Sequence, residues 1–243
     1  MGSGRGETGA AGSSKEAAAA RIQAGQAVYT PSVLALYDLL VLGISSHLVW
    51  RCPAADIRRL YARNLSINHL DVGVGSGYFL DHADFPGPNP RVGLMDLNPH
   101  SLEHTARRIR RYLPECYRHN VLAPLELQAG TSAPPAVQPF DSLAMNYLLH
   151  CLPGTMEDKA GAFDHLIPVL KPGARVFGST ILHGGVPRSL PARALMALYN
   201  RRGIFSNQGD DLDGLHRALE RRFDGVEIET RGCVALFSAR MHA

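Results

Sequence analysis

His69-Leu-Asp71-Val-Gly73-Val-Gly75-Ser-Gly77-Tyr78 is the stretch whose reading decides the fold. A short apolar run ends on an acid and breaks into three glycines, each two residues after the last. Glycine reaches positive φ without a side-chain penalty and lets the backbone come close to a bound molecule. A strand that runs into such a loop, with a helix to follow, is where open α/β sheets hold nucleotide-like ligands.

Working outward, residues 92–96 read as a second strand after the Pro/Gly-rich loop 86–90. Asn98 is placed to cap a helix over 99–113. A weak strand at 117–119, a Pro/Ala-rich loop at 123–139 and a strand at 140–146 come next. The pattern then predicts a helix at 157–170 ended by Lys171-Pro172-Gly173, a strand at 174–182, and helices at 189–202 and 212–222. Strands at 226–230 and 234–239, split by Arg231-Gly232, close the chain. Toward the N-terminus, 56–64 is a basic amphipathic helix, and 33–50 reads as one or two helices. Residues 1–27 are Gly/Ala/Ser-rich and too poor in large apolar groups to offset the entropy of ordering, so they read as a mobile tail. Strand and helix alternate, which specifies an α/β sheet covered on both faces. The expected organisation is a tail (1–27), an N-terminal helical extension or lid (28–68) and one Rossmann-like domain (69–243).

The bulk numbers agree with an ordinary soluble globular protein. Of 243 residues, 45% are hydrophobic and 19% charged, enough for a sizeable core. A net charge of +3 does not call for a nucleic-acid partner, and paired arginines such as Arg107-Arg108 and Arg221-Arg222 read as solvated helix faces. The four cysteines, Cys52, Cys116, Cys151 and Cys233, are scattered without a CxxC, which argues for reduced thiols and against a zinc site. His100 and His104 share a helical face but lack partners to complete a site, so no metal is expected. There is no apolar run of membrane length and no signal peptide. The expectation is a cytoplasmic protein without a membrane or nucleic-acid partner, as a monomer or homodimer.

Two cofactor classes use glycine loops of this kind. The dinucleotide fingerprint GxGxxG would put its third glycine at position 78, which is Tyr78. The GxGxG spacing, with an acid two residues before the first glycine, weighs instead toward S-adenosylmethionine. Asp96, at the end of the second strand and nineteen residues after Gly77, is placed to grip ribose hydroxyls. Two charge-assisted hydrogen bonds there would contribute roughly 1.5–3 kcal/mol each, but both cofactor classes carry a ribose.

Asp71-Val-Gly73-Val-Gly75-Ser-Gly77, Asp96, Phe140-Asp141 through Asn146-Tyr147-Leu-Leu-His150-Cys-Leu-Pro153, and Leu170-Lys-Pro-Gly173 together resemble the successive motifs of class I S-adenosylmethionine-dependent methyltransferases. Tyr29-Thr-Pro31 and Tyr37-Asp38 through Trp50-Arg-Cys-Pro53 further resemble small biosynthetic methyltransferases of bacteria and fungi. The resemblance implies a mostly parallel seven-stranded sheet ending in an antiparallel hairpin. It also implies S-adenosylmethionine as cofactor, S-adenosylhomocysteine as product and a small-molecule substrate. It places Asp71, Gly73, Gly75 and Gly77 against the methionine and ribose parts, Asp96 against the ribose hydroxyls, Asn120 and Val121 against adenine, and the adjacent Leu97 against the cofactor. The family commonly has an Asp where this chain has Asn120, whose side-chain carbonyl still accepts the adenine amino group without charge. Asn146 would shape the methyl site, with Tyr29, Tyr37 and Trp50 at the methionine end, under the lid or in the core.

A sulfonium methyl is already activated, so alignment is the main task, worth roughly 7–11 kcal/mol. A base, where the nucleophile carries a proton, adds about 10²–10⁴-fold. Tyr147 and His150, after the fourth strand, and His183, after the fifth, are the catalytic candidates, although His150 in this pattern is more often structural and His183 also reads as an ordinary loop histidine. Helix 189–202, with Tyr199 and Asn200, reads as the second wall of a substrate pocket. The competing readings are a methyltransferase for RNA or protein, a non-catalytic S-adenosylmethionine-binding protein and a nicotinamide oxidoreductase. Against the first, Asn146 is followed by Tyr-Leu-Leu-His, without the Pro-Pro-aromatic element common in base and glutamine methylation.

Overall fold

The computed structural model describes residues 48–125 and 138–242. Its strands are β1 Asn68–Val72, β2 Arg91–Asp96, β3 Glu115–Arg118, β4 Phe140–Asn146, β5 Leu170–Ile181, β6 Asp224–Arg231 and β7 Val234–Arg240. Its helices are α1 Ala54–Asn64, α2 Tyr78–Asp81, α3 Pro99–Arg108, α4 Met156–Leu166, α5 Leu190–Arg201 and α6 Leu212–Glu220. The strands form one sheet in the order β3-β2-β1-β4-β5-β7-β6. Pairing is parallel from β3 through β5, and β7 lies antiparallel between β5 and β6. The order reverses between β1 and β4, so a crevice opens at their carboxyl ends.

Strand alternation sorts side chains onto two cores. Leu70, Val72, Leu143 and Met145 face a core with Phe163 of α4 and Leu215 and Leu219 of α6. On the opposite face Ala144, Phe177 and Ile181 pack with Ile57, Leu60 and Tyr61 of α1, Leu102 of α3 and Met196 of α5. The helix starts follow from local chemistry. Asn98 caps α3 by accepting from the His100 amide at 2.9 Å. Thr155 and Asp158 form a capping box on α4, and Ser189 and Asp211 cap α5 and α6.

The boundaries differ from expectation where turn chemistry intervenes. α4 stops at Leu166, and a 3₁₀ turn over Ile167–Val169 leads into β5 at Leu170. Pro168 has no amide to continue the helix, so Lys171-Pro172-Gly173 sits inside β5 and does not end a helix. α3 likewise stops at Arg108 and gives way to a 3₁₀ turn at Arg110–Tyr112, which seats Tyr112 against Phe85, ring centroids 5.0 Å apart. The third strand lies at 115–118, slightly earlier than read. The tail 1–27, the helical segment up to residue 47, Tyr29 and Tyr37 lie outside the described residues.

Candidate active site

The glycine loop joins β1 to α2 at the mouth of the crevice. Gly73, Gly75 and Gly77 have φ of +72°, +52° and +72°, a region costly to residues with a Cβ. The loop is held from behind by α3. Thr105 Oγ1 donates to the Gly75 carbonyl at 3.1 Å and Arg108 Nη1 to the Ser76 carbonyl at 3.1 Å. A Cβ on Gly77 would lie 2.7 Å from Thr105 Cγ2, whereas a Cβ on Gly75 would meet nothing within 4 Å. The third glycine therefore answers to packing, and the second leaves open space toward the cleft.

Asp71, Asp96, Leu97, Asn120, Val121, Asn146 and Tyr147 all line this cleft with the three glycines. The Asp96 carboxylate accepts from the Asn98 amide at 2.8 Å. Burial pushes its pKa up to about 6, opposed by the amides of Asn98, Gly75, Leu97 and Val74. Asn120 Oδ1 already accepts from the Leu122 amide at 3.1 Å, leaving one lone pair for a further donor. The Val121 carbonyl accepts from His165 Nδ1 at 2.9 Å, which anchors this residue at the cleft.

The sequence reading missed Tyr61. Its hydroxyl donates to Asp71 Oδ2 and accepts from Asn146 Nδ2 at 3.2 Å. Asn146 Oδ1 in turn accepts from Ser179 Oγ at 2.9 Å. Burial, and then the neighbouring Asp71 charge, hold the Tyr61 phenol well above its ordinary pKa, so it remains a donor. The only sequence signal, an apolar helical face at Ile57, Leu60 and Tyr61, reads as core. Ile204, also unforeseen, lines the cleft.

Several predicted residues lie outside the described lining of this cleft. His150 does not reach the cleft. It is 3% exposed, its ring lies 4.5 Å from that of Phe205, and its Nδ1 accepts from the Ile181 amide at 3.3 Å. Burial lowers its pKa to about 3, so it is a neutral core imidazole. His183 follows β5, but its amide is tied to the Asp210 carbonyl at 2.9 Å, and the residue is absent from the cleft lining among the described residues. Trp50 is 2% exposed and packs on Phe205. Its carbonyl accepts from the Cys233 amide at 3.2 Å, so it sits in the core and is absent from the described cleft lining. Tyr199 also packs on Phe205, ring centroids 5.0 Å apart, and Asn200 exchanges hydrogen bonds with Asn207 at 2.8 and 3.1 Å. Both hold the loop after α5 in place and do not face the cleft. Tyr147 stays at the site with an unusual backbone, φ +54°. Its amide donates to the Ser179 carbonyl at 2.8 Å, and its ring centroid lies 5.9 Å from that of His150.

The loop carrying Ile204 is pinned from inside the molecule. Lys159 of α4, fully buried, donates to both Asp210 carboxylate oxygens at 2.7 and 2.6 Å and to the Ser206 carbonyl at 2.7 Å. The Asp210 carbonyl accepts the amides of His183 and Gly184, each at 2.9 Å.

The lining residues suit S-adenosylmethionine better than a dinucleotide. Two carboxylates and no lysine or arginine line the described cleft, which favours a cation and opposes a pyrophosphate. α2 has only 4 residues, so no long helix dipole meets an anion there.

A family profile described as "Methyltransferase domain" matches residues 70–176. The chain is 44% identical to the demethylluteothin O-methyltransferase of Streptomyces thioluteus, over 88% of this chain and 90% of that protein. It is 37% identical to the physcion biosynthesis cluster O-methyltransferase of Aspergillus chevalieri, over 88% of this chain and 94% of that one. In fold it is similar to the N-methyltransferase NodS of Bradyrhizobium japonicum WM9 in complex with S-adenosyl-L-homocysteine. That match has a TM-score of 0.57 at 16% identity, covering 91% of this chain and 98% of NodS.

Proposed function

Because the chain belongs to the S-adenosylmethionine-dependent methyltransferases, we propose that it methylates a hydroxyl oxygen of a small molecule in secondary metabolism. The observation that carries the reading is the acidic, cation-free lining of the cleft around the glycine loop. Oxygen as the acceptor is supported by the O-methyltransferase names of the relatives at 44% and 37% identity.

When bound, S-adenosylmethionine supplies a methyl group already activated on a sulfonium. Asp96 would accept hydrogen bonds from ribose hydroxyls, with the Asn98 amide holding its carboxylate in place. Asn120 Oδ1 and the Val121 amide would address adenine, and Asp71 the cationic methionine end. Tyr147, Leu148, Leu152, Pro153 and Ile204 form an apolar wall that excludes water and orients a small acceptor. Alignment by that wall is the main contribution of the protein, on the order of 7–11 kcal/mol. A cytoplasmic setting belongs to the same proposal. Cys52, Cys116, Cys151 and Cys233 are all free thiols, as a reducing compartment keeps them. No helix among the described residues is long and apolar enough to cross a membrane.

The test is calorimetric titration with S-adenosylhomocysteine and NADH, followed by a screen of hydroxylated small molecules with methyl-labelled S-adenosylmethionine. Binding of the first nucleoside only, with label recovered as a methyl ether, is expected. Label transferred to RNA or protein, or binding without turnover on any acceptor, would defeat the proposal.

A further inference from the structure

The Asp71 carboxylate is flanked by Tyr61 and His69, neither of which was assigned a role from the sequence. Asp71 and His69 point to one face of β1, where Ser142 and Asn146 of β4 and Ser179 of β5 share the same side by register. His69 Nδ1 lies 2.8 Å from Ser142 Oγ, and its Nε2 lies 3.7 Å from Asp71 Oδ2. Tyr61 reaches the same oxygen from α1. Both protein contacts of the carboxylate therefore fall on Oδ2, leaving Oδ1, among the described residues, for a donor in the cleft. The phenol also ties Asp71 to Asn146, so the acid at the tip of β1 and the amide at the tip of β4 share one anchor. Tyr61 itself is 2% exposed and fixed by Phe79 and Phe177, ring centroids 5.9 and 5.1 Å away.

We propose that Tyr61 is a positioning residue for the methyl transfer, acting through Asp71: its phenol fixes which carboxylate oxygen faces the cationic end of S-adenosylmethionine. A buried carboxylate free to rotate would divide its donors between two oxygens, and the bound cofactor would lose a preorganised partner. The inference rests on the cofactor placement proposed above.

The test is a double-mutant cycle on the full chain with Tyr61→Phe, Asp71→Asn and the double variant, read by S-adenosylhomocysteine titration. Tyr61→Phe keeps the ring and its packing, and thermal melting of each variant checks folding. The expected result is about tenfold weaker binding for Tyr61→Phe in the parent and less than about twofold in the Asp71→Asn background. Equal losses in both backgrounds would mean that Tyr61 acts independently of Asp71, and would overturn the inference. So would a lowered melting temperature with unchanged affinity, the mark of a merely structural role. Failure of the parent itself to bind S-adenosylhomocysteine would instead refute the cofactor placement.

Discussion

At Asp96 burial and hydrogen bonding pull in opposite directions. Desolvation raises the carboxyl to about 6 from 3.8, and four amides restrain the rise. The native group thus takes up its proton at a higher pH than the unfolded one. Between these values the native state binds more protons, and stability increases as pH falls. The penalty is fully present above about pH 6. Asp96→Asn is expected to be more stable than the parent above that pH, with the advantage lost toward pH 3.8, as urea unfolding at several pH values would reveal. Asp96→Ala should weaken S-adenosylmethionine by about tenfold or more, and an unchanged dissociation constant would refute the ribose placement. The glycines separate in the same way. Gly75→Ala meets no protein atom and should lose only about 1–2 kcal/mol of stability for its left-handed backbone, yet S-adenosylhomocysteine affinity should fall further than stability. Gly77→Ala strikes Thr105 and should unfold more readily, with partial recovery in Thr105→Ala. Full affinity in Gly75→Ala would show that the loop does not cradle the ligand.

Among the elements, the segment from α5 to α6 depends on a charge pair that sits outside the cleft lining. Buried ion pairs often contribute little net stability, but removing one partner strands a charge at a cost of about 3–5 kcal/mol. Lys159→Met should therefore destabilise strongly by denaturant titration, and adding Asp210→Leu should restore most of the loss. Even then the amides of His183 and Gly184 should exchange faster, because their acceptor carbonyl belongs to Asp210. Unchanged exchange in the double variant would mean that the pair does not hold the acceptor wall. His183→Ala, by contrast, alters a side chain outside the described lining and should leave turnover near the parent value; a large fall in kcat at unchanged cofactor affinity would return it to the catalytic candidates.

For the whole molecule, ligand and stability are linked. A cofactor that binds only the folded chain adds about 2.7 kcal/mol at a hundredfold excess over its Kd, which for a chain of this size raises the melting temperature by roughly 5–10 °C. S-adenosylhomocysteine is expected to produce that shift and NADH none, in a fluorescence melt. The two cores make the linkage global. β1 carries Leu70 and Val72 into one, while Asp71 faces the other, so a ligand on the glycine loop bears on the strand between them.

The sequence by itself determined the strand and helix order, the hairpin at the end and the cleft acids and glycines, because each is a local signal: a two-residue or helical period, a turn glycine, a capping side chain. Local pattern located Gly73, Gly75, Gly77 and Asp96 at the cleft, and the motif resemblance added Asp71, Asn120 and Asn146. Only the tertiary structure decided that Tyr61 of α1 meets Asp71, that Lys159 meets Asp210, and that His150, His183 and Trp50 lie outside the described cleft lining. Those outcomes join residues distant along the chain, such as Tyr61 with Asn146 and Lys159 with Asp210. No local period specifies whether a buried phenol, ammonium or imidazole faces a core or a cavity. Packing of whole helices onto the sheet settles that, and a single residue's neighbours in sequence carry no record of it.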